Sequence, residues 1–195
     1  MNSILPLSPR NAVSGLALLA LALACAAPAQ EAVETDTQEL QPAVTYADLL
    51  PNGVEPLPGV VAGGQPTREQ LDEAANRGLR TVINLRTEGE SDIGQEDVEA
   101  RGMTYVALPI AGTDDLNAET AAALDAALAL AEQPVMVHCG SGNRVGALFA
   151  LRAYFVEGAS LEQAMTFGED AGMTRLGDST REILEAAAQA ALPIN

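Results

Sequence analysis

From residue 46 onward, short apolar runs alternate with longer segments in which apolar and polar residues are mixed at helical spacing. Three of these runs, Leu79–Arg86, Met103–Ile110 and Pro134–His138, have the composition of buried strands. Val60–Ala62 is a shorter candidate strand. Strands separated by helices in this way predict an α/β fold with a central, mostly parallel sheet flanked by helices.

Capping residues place the helices between these strands. Thr67 and Gln70 form a capping-box pattern before a helix that we expect to end at Gly78. Asn117 and Ser160 stand at the starts of two further helices. The predicted helices cover about 68–77, 95–101, 118–132, 145–156 and 161–171, with a last one capped by Asp178 or Ser179 and running to about 191.

The first 45 residues have a different character. Arg10 precedes an apolar stretch over residues 12–24, and small residues follow up to Ala29. This pattern predicts a secretory signal peptide over residues 1–29, with an apolar run too short for a membrane span. Residues 30–45 are predicted to form an acidic flexible linker, and residues 46–195 the folded domain. We therefore expect a periplasmic or secreted protein.

Cys25 supports an alternative for this leader. It follows Leu21, Ala22, Leu23 and Ala24, which loosely resembles the cleavage site of a bacterial lipoprotein. The leucine lies one position from its usual place, so cleavage after the leader without lipidation is the preferred interpretation. The alternative is a protein anchored to a membrane by a lipid on Cys25.

The chain carries a formal net charge of −17, and all ten of its basic residues are arginines. Such an acidic surface argues against nucleic acid and anionic membranes as partners. An anionic substrate would have to be captured by a local positive site, for which Arg144 is the candidate. No metal ion or cofactor is expected, since the sequence lacks a cluster of metal-ligating residues.

The most informative segment follows the Pro134–His138 run. His138, the only histidine, precedes Cys139, the only cysteine outside the leader; a loop of four residues and Arg144 come next. A thiol between a strand and a helix N-terminus is favoured as the thiolate, and an arginine can hold two oxygens of a bound oxyanion. His138 is expected to orient the cysteine rather than act as a general base. The loop consists of Gly140, Ser141, Gly142 and Asn143, whose backbone N–H groups are predicted to bind the substrate with Arg144.

These residues resemble the cysteine-dependent protein-tyrosine and dual-specificity phosphatases. Three segments, 63–67, 82–88 and 138–146, are more closely similar to a bacterial subgroup. That subgroup comprises the phosphatase-like domain of beta-lactamase-hydrolase-like proteins and the related domain fused to NAD kinases. The resemblance implies a three-layer protein-tyrosine-phosphatase-like domain that acts on a small phosphorylated substrate or a phosphoprotein.

The resemblance also implies a mechanism. Cys139 would attack phosphorus, Arg144 would stabilise the transition state, and an aspartate on a neighbouring loop would protonate the leaving oxygen. Asp114 is the first candidate for this acid and Asp115 the second, although both also fit a turn or helix cap. Arg86 either steers anions or forms a structural ion pair with Glu88 or Glu90.

Two departures from the family pattern keep other functions open. Four residues separate Cys139 from Arg144, where the phosphatase signature has five, and Val145 replaces the usual serine or threonine. A loop of this shorter kind is used by single-domain rhodaneses to hold a persulfide. The alternatives are therefore a sulfurtransferase that uses Cys139 and a catalytically inactive module that binds a phosphorylated ligand.

Overall fold

Five strands form one sheet in a computed structural model that describes residues 45–191. The predicted signal peptide, Cys25 and all of the predicted linker except Thr45 lie outside these residues. The strands are β1 (Val54–Leu57), β2 (Val60–Gly63), β3 (Thr81–Asn84), β4 (Thr104–Ala107) and β5 (Val135–His138). Their order across the sheet is β1-β2-β5-β3-β4, and every neighbouring pair except β1–β2 is parallel.

Helices cover both faces of this sheet. They are α1 (Arg68–Asn76), α2 (Gln95–Glu99), α3 (Ala118–Leu130), α4 (Asn143–Phe155), α5 (Leu161–Asp170) and α6 (Gly177–Ala190). Alternate residues of β5 point to opposite faces: Val135 and Val137 belong to the core shared with α3 to α6, whereas Met136 belongs to the core shared with α1 and α2. The predicted three-layer α/β architecture with a mostly parallel sheet is confirmed. No helix among residues 45–191 is long and apolar enough to cross a bilayer.

The predicted caps are correct for three helices and wrong for the last one. Thr67, Asn117 and Ser160 each accept backbone N–H groups at the starts of α1, α3 and α5. Helix α6 begins earlier than predicted, at Gly177, so that Asp178 and Ser179 lie inside its first turn and do not cap it. The start is set from outside the helix, because the side chain of Asn143 binds the backbone N–H of Leu176.

Strand β1 was not predicted from the sequence. Its residues include Glu55 and Pro56 in a region rich in proline and glycine, which is typical of a loop. An edge strand tolerates proline, because one row of its backbone groups has no neighbouring strand. Pairing with β2 therefore decides this conformation, with Val54 opposite Ala62 and Leu57 opposite Val60.

The register of the central strands positions the site. His138 at the end of β5 lies opposite Gly63 of β2 on one side and Asn84 of β3 on the other. The segments that follow these three strands therefore meet at the carboxyl edge of the sheet, where ligands of open α/β sheets bind.

Candidate active site

The loop after β5 surrounds the thiol of Cys139. This residue is 1% exposed, and the backbone N–H of Gly142 donates to its Sγ at 3.2 Å. Gly142 has φ +90°, a conformation that glycine adopts without steric cost, and this turn directs its N–H toward the sulfur. Its carbonyl accepts the N–H of Gly146 at 2.9 Å in the first turn of α4. The thiol therefore lies at the amino end of a helix, as the sequence predicts.

The segment that follows β2 holds this loop in place. The N–H of Cys139 donates to the carbonyl of Gly63 at 3.2 Å, and the N–H of Gln65 donates to the carbonyl of Gly140 at 3.4 Å. Gly64 and Ser141 form an isolated bridge. A Cβ at Gly64 would come within 3.1 Å of the carbonyl oxygen of Gly140, so the two segments approach closely only because glycine stands there.

Arg144 lies beside the loop and is held by two partners. Its Nη1 donates to Oε2 of Glu90 at 2.9 Å and to the carbonyl of Ile110 at 2.6 Å, and its Nη2 donates to Oε1 of Glu90 at 3.3 Å. A Cβ at Gly140 would lie 4.0 Å from the same Nη2, so the guanidinium stays close to the loop. The hydrogen bonds from Arg144, and then from the N–H of Thr87, lower the pKa of Glu90 to about 2.

Arg86 does not form the ion pair with Glu88 or Glu90 that was one of its two predicted roles. Its Nη1 donates to Oε1 of Gln65, which also accepts the hydroxyl of Ser91 at 3.0 Å. Glu90 is engaged by Arg144, which leaves Arg86 with a neutral partner. The Nε of Arg86 is buried and has no hydrogen-bond partner among the described residues. Steering of anions by Arg86 stays a prediction.

His138 is completely buried between the neighbouring strands. Burial lowers its pKa to about 4, and the positive charge of Arg86 acts in the same direction. Its Nδ1 lies 3.5 Å from the carbonyl oxygen of Cys139. An imidazole with so low a pKa is neutral at pH 7 and is a weak proton acceptor, which is compatible with an orienting role.

The two candidate acids have different surroundings. The carboxylate of Asp115 accepts the N–H of Ala111 at 2.7 Å, and its carbonyl accepts the hydroxyl of Thr120 at 2.6 Å. Asp115 is therefore part of the turn that leads into α3. Asp114 is exposed, and within residues 45–191 its carboxylate has no hydrogen bond or ion pair. This loop begins at Ile110, whose carbonyl is bound by Arg144.

The side chain of Asn143 binds the segment that precedes α6. Its Oδ1 accepts the N–H of Thr174 at 2.8 Å, the hydroxyl of Thr174 at 3.1 Å and the N–H of Leu176 at 3.3 Å. Its side-chain oxygen is therefore occupied by the segment that precedes α6. Val145, which replaces the serine or threonine expected from the resemblance, is fully buried.

Two partners in this site were missed at the sequence level, namely Glu90 for Arg144 and Gln65 for Arg86. Glu90 lies 54 positions before Arg144, and no spacing rule connects them. Gln65 belongs to one of the three segments that carry the resemblance, which is a signal that it contributes to the site. Within residues 45–191, side chains that could hold a metal ion do not gather in groups of three or more.

Comparison with known proteins agrees with this geometry. Residues 58–154 match the family model of the beta-lactamase hydrolase-like protein, phosphatase-like domain. The beta-lactamase hydrolase-like protein of Xylella fastidiosa (strain Temecula1) is 37% identical over 94 residues, which cover 45% of this chain and 22% of the relative. The match therefore spans about a fifth of the length of this curated relative.

Solved structures of low sequence identity share the fold. The phosphatase-like protein nma1982 of Neisseria meningitidis has a TM-score of 0.57 at 22% identity, with 69% of this chain and 96% of that chain covered. Tk-PTP in its active form has a TM-score of 0.57 at 21% identity, with 71% and 97% covered. The segment from residue 58 to residue 154 thus matches the phosphatase-like domain family of the beta-lactamase hydrolase-like proteins, within a domain that has the protein-tyrosine-phosphatase-like fold.

Proposed function

We propose that this protein is a cysteine-dependent phosphatase that hydrolyses phosphomonoesters through a phosphocysteine intermediate. The observation that carries the proposal is the hydrogen bond of 3.2 Å from the N–H of Gly142 to Sγ of Cys139. A backbone donor directed at the sulfur, at the amino end of α4, stabilises negative charge there. The match of residues 58–154 to a phosphatase-like family supports the same chemistry.

The reaction has two steps. In the first, the thiolate of Cys139 attacks phosphorus, an S–P bond forms, and the P–O bond to the leaving group breaks while an acid protonates the departing oxygen. In the second, water attacks the phosphocysteine, the S–P bond breaks, and inorganic phosphate leaves while the thiolate is restored. We assign the acid to Asp114, whose carboxylate is exposed and is not used in the turn.

Arg144 stabilises the transition state with those N–H groups of its guanidinium that do not bind Glu90 or Ile110. Glu90 and Ile110 take both hydrogens of Nη1 and one hydrogen of Nη2. A guanidinium has five N–H donors, so the Nε hydrogen and one Nη2 hydrogen remain. These two donors are parallel and match two oxygens of a phosphoryl group. Glu90 thus orients Arg144 and leaves one bidentate face for the substrate.

The test is the hydrolysis of an aryl phosphate by the purified protein and by Cys139→Ser. We expect the wild type to release phosphate and the variant to fall to the uncatalysed rate while keeping its circular dichroism spectrum. Rapid acid quenching with labelled substrate should trap phosphate on the wild-type protein only. Release of phosphate by Cys139→Ser at the wild-type rate would rule out the covalent mechanism.

A sulfurtransferase is the second candidate, and the length of the loop favours it. Only four residues separate Cys139 from Arg144, and Val145 provides no hydroxyl to assist hydrolysis. In this reaction the thiolate would take a sulfur atom from a donor such as thiosulfate, releasing sulfite, and pass it to cyanide as thiocyanate. Thiocyanate formation without release of phosphate from aryl phosphates would select this candidate. If neither reaction occurs, and Cys139→Ser binds phosphate as tightly as the wild type, the domain is a binding module.

A further inference from the structure

A cavity of about 440 Å³ borders the loop after β5, residues 140–143, on the side away from Glu90. Glu90 and Ile110 follow β3 and β4, whereas this cavity lies on the β1 side of the central strand. Ser141, two residues after Cys139, forms part of its wall. Two peptide units span at most about 7.6 Å between Cα atoms, so the wall begins close to the thiol. The other lining residues are Asn52, Gly53, Val54, Gly172, Thr174 and Arg175.

The charge of this cavity is opposite to that of the chain. Arg175 is the only charged lining residue, in a chain of net charge −17. Among residues 45–191, six of nine arginines form ion pairs with carboxylates, and the remaining three are Arg80, Arg86 and the exposed Arg175. An unpaired cation beside a predicted phosphate cradle is suited to bind an anion.

A residue of the loop after β5 binds the segment that contains Arg175. Asn143 holds Thr174 and Leu176 through three hydrogen bonds, which fixes the backbone on both sides of Arg175. Gly172 has φ +100°, and a Cβ there would lie 3.6 Å from the carbonyl oxygen of Gly142. The position of Arg175 is thus tied to the loop that surrounds the thiol.

The opposite wall is also tied to the loop. Asn52 adopts φ +52°, and its Nδ2 donates to the carbonyl of Ser141 at 3.1 Å. This bond uses one of the two amide hydrogens and leaves the other available. The hydroxyl of Ser141 has no hydrogen bond within the described residues. Together with Arg175, these groups give the lining of the cavity three side-chain donors.

We propose that this cavity is a second anion subsite, and that the substrate is a small phosphomonoester that carries another phosphate or carboxylate group. The proposal rests on the proposed phosphatase function. The phosphoryl group that reacts lies at Cys139 and Arg144, and the second anionic group binds Arg175, Ser141 and Asn52. The volume of about 440 Å³ lies within the usual range for small-molecule sites and exceeds the needs of a single inorganic ion.

The kinetic test uses α,ω-alkanediol bisphosphates of increasing length. Each is compared with the alkyl monophosphate of the same length and with the alkyl phosphate that carries a carboxylate at its other end. We expect wild-type kcat/KM to be higher for the doubly anionic member at one or two chain lengths. Loss of a charge-assisted contact should lower this preference about five- to tenfold in Arg175→Gln. Arg175→Lys should retain part of it. The matched control is Arg80→Gln, which removes an exposed arginine before β3, at the other end of the sheet.

A binding test separates this proposal from the phosphatase proposal. Calorimetry on Cys139→Ser compares phosphate with methylenebisphosphonate, and needs no turnover. A preference for bisphosphonate that Arg175→Gln removes supports the subsite even if no phosphomonoester is hydrolysed. The proposal is wrong if Cys139→Ser prefers bisphosphonate over phosphate to the same degree with and without Arg175→Gln, and if the wild type and Arg175→Gln also have the same ratio of kcat/KM for doubly and singly anionic substrates. This outcome overturns the subsite even if the enzyme is an active phosphatase.

Discussion

Glu90 and Arg144 form a two-point ion pair across the mouth of the loop, with N–O distances of 2.9 and 3.3 Å. The carboxylate comes from the segment after β3 and the guanidinium from the first turn of α4. Because the pKa of Glu90 is lowered to about 2, this carboxylate stays ionised over the whole range in which the protein would be assayed. The stability that the pair contributes declines as the pH falls below 4.5 and is lost as the pH passes through about 2.

Replacing Glu90 should therefore disturb the orientation of Arg144 without removing its charge. We expect Glu90→Gln to lower kcat/KM for an aryl phosphate about ten- to a hundredfold, because a misplaced catalytic group loses most of its effect. Glu88→Gln, an exposed neighbour on the same segment, should stay within about twofold, since ionic contacts of exposed side chains are weak. Steady-state kinetics check both variants. Higher activity in Glu90→Gln would instead identify Glu90 as a competitor of the substrate.

The buried histidine makes stability depend on pH. His138 has a pKa of about 4 in the folded protein and about 6.5 in the unfolded chain, so the unfolded chain binds the extra proton between these values. Stability then rises with pH across this window and is lost as the pH falls toward 4. We expect the free energy of unfolding to increase by about 2 kcal/mol from pH 5 to pH 7.

Urea denaturation of the wild type and His138→Asn at the two pH values measures this effect. The variant should lose most of the increase, because the carboxylates with lowered pKa values titrate below pH 4.5. In the folded wild type, the ring signals of the single histidine should not shift in NMR spectra between pH 5.5 and 8. A ring that titrates near pH 6.5 contradicts the neutral, buried state.

Helices α4 and α5 approach each other at Gly146. A Cβ at this position would lie 2.1 Å from the backbone N of Met173 and 2.5 Å from the carbonyl oxygen of Gly168. Backbone atoms cannot move aside as a flexible side chain can, so Gly146→Ala should cost about 3 kcal/mol or more. Gly177→Ala is the matched control, because its Cβ meets open space in the first turn of α6.

The control variant should gain roughly 0.5 to 1 kcal/mol, since alanine restricts the unfolded chain. Chemical denaturation at a single pH compares the two variants with the wild type. Equal stabilities for Gly146→Ala and Gly177→Ala would show that the crossing of α4 and α5 is wider than described.

Asn143 joins the loop after β5 to the segment that precedes α6. Asn143→Ala leaves two backbone N–H groups and one hydroxyl without their acceptor, and we expect a loss of about 2 kcal/mol in the free energy of unfolding. Hydrogen exchange should become faster at the amides of Thr174 and Leu176. Asn76→Ala, at the exposed end of α1, should change neither quantity. Unchanged exchange in Asn143→Ala would remove Asn143 from this role.

Local sequence patterns were sufficient to predict many of the helices and strands. Local patterns predicted α1, α3 and α5 with their caps, since the capping side chain lies within three residues of the N–H groups that it binds. The apolar runs predicted the buried parallel strands β2, β3 and β5, because a strand covered on both faces needs apolar residues throughout. The position of Cys139 after β5 and before α4 followed directly from these elements.

Contacts between distant segments could not be predicted in this way. Strand β1 forms because β2 supplies the hydrogen-bonding partner that its own residues do not specify. The first turn of α6 depends on Asn143, 34 positions before Gly177. Local propensities describe neither case, because the stabilising group belongs to another part of the chain.

The sequence by itself determined the candidate residues of the site, and the tertiary structure decided how they are paired. The order His138, Cys139, glycine loop and Arg144 places a thiol and a cation in one turn, because successive residues cannot separate far. The acidic chain offers many carboxylates to each arginine, and only the packing of the sheet brings Glu90 to Arg144 and leaves Arg175 without a carboxylate partner in the described part of the chain. Electrostatic partners are chosen by distance in space, which no linear spacing encodes.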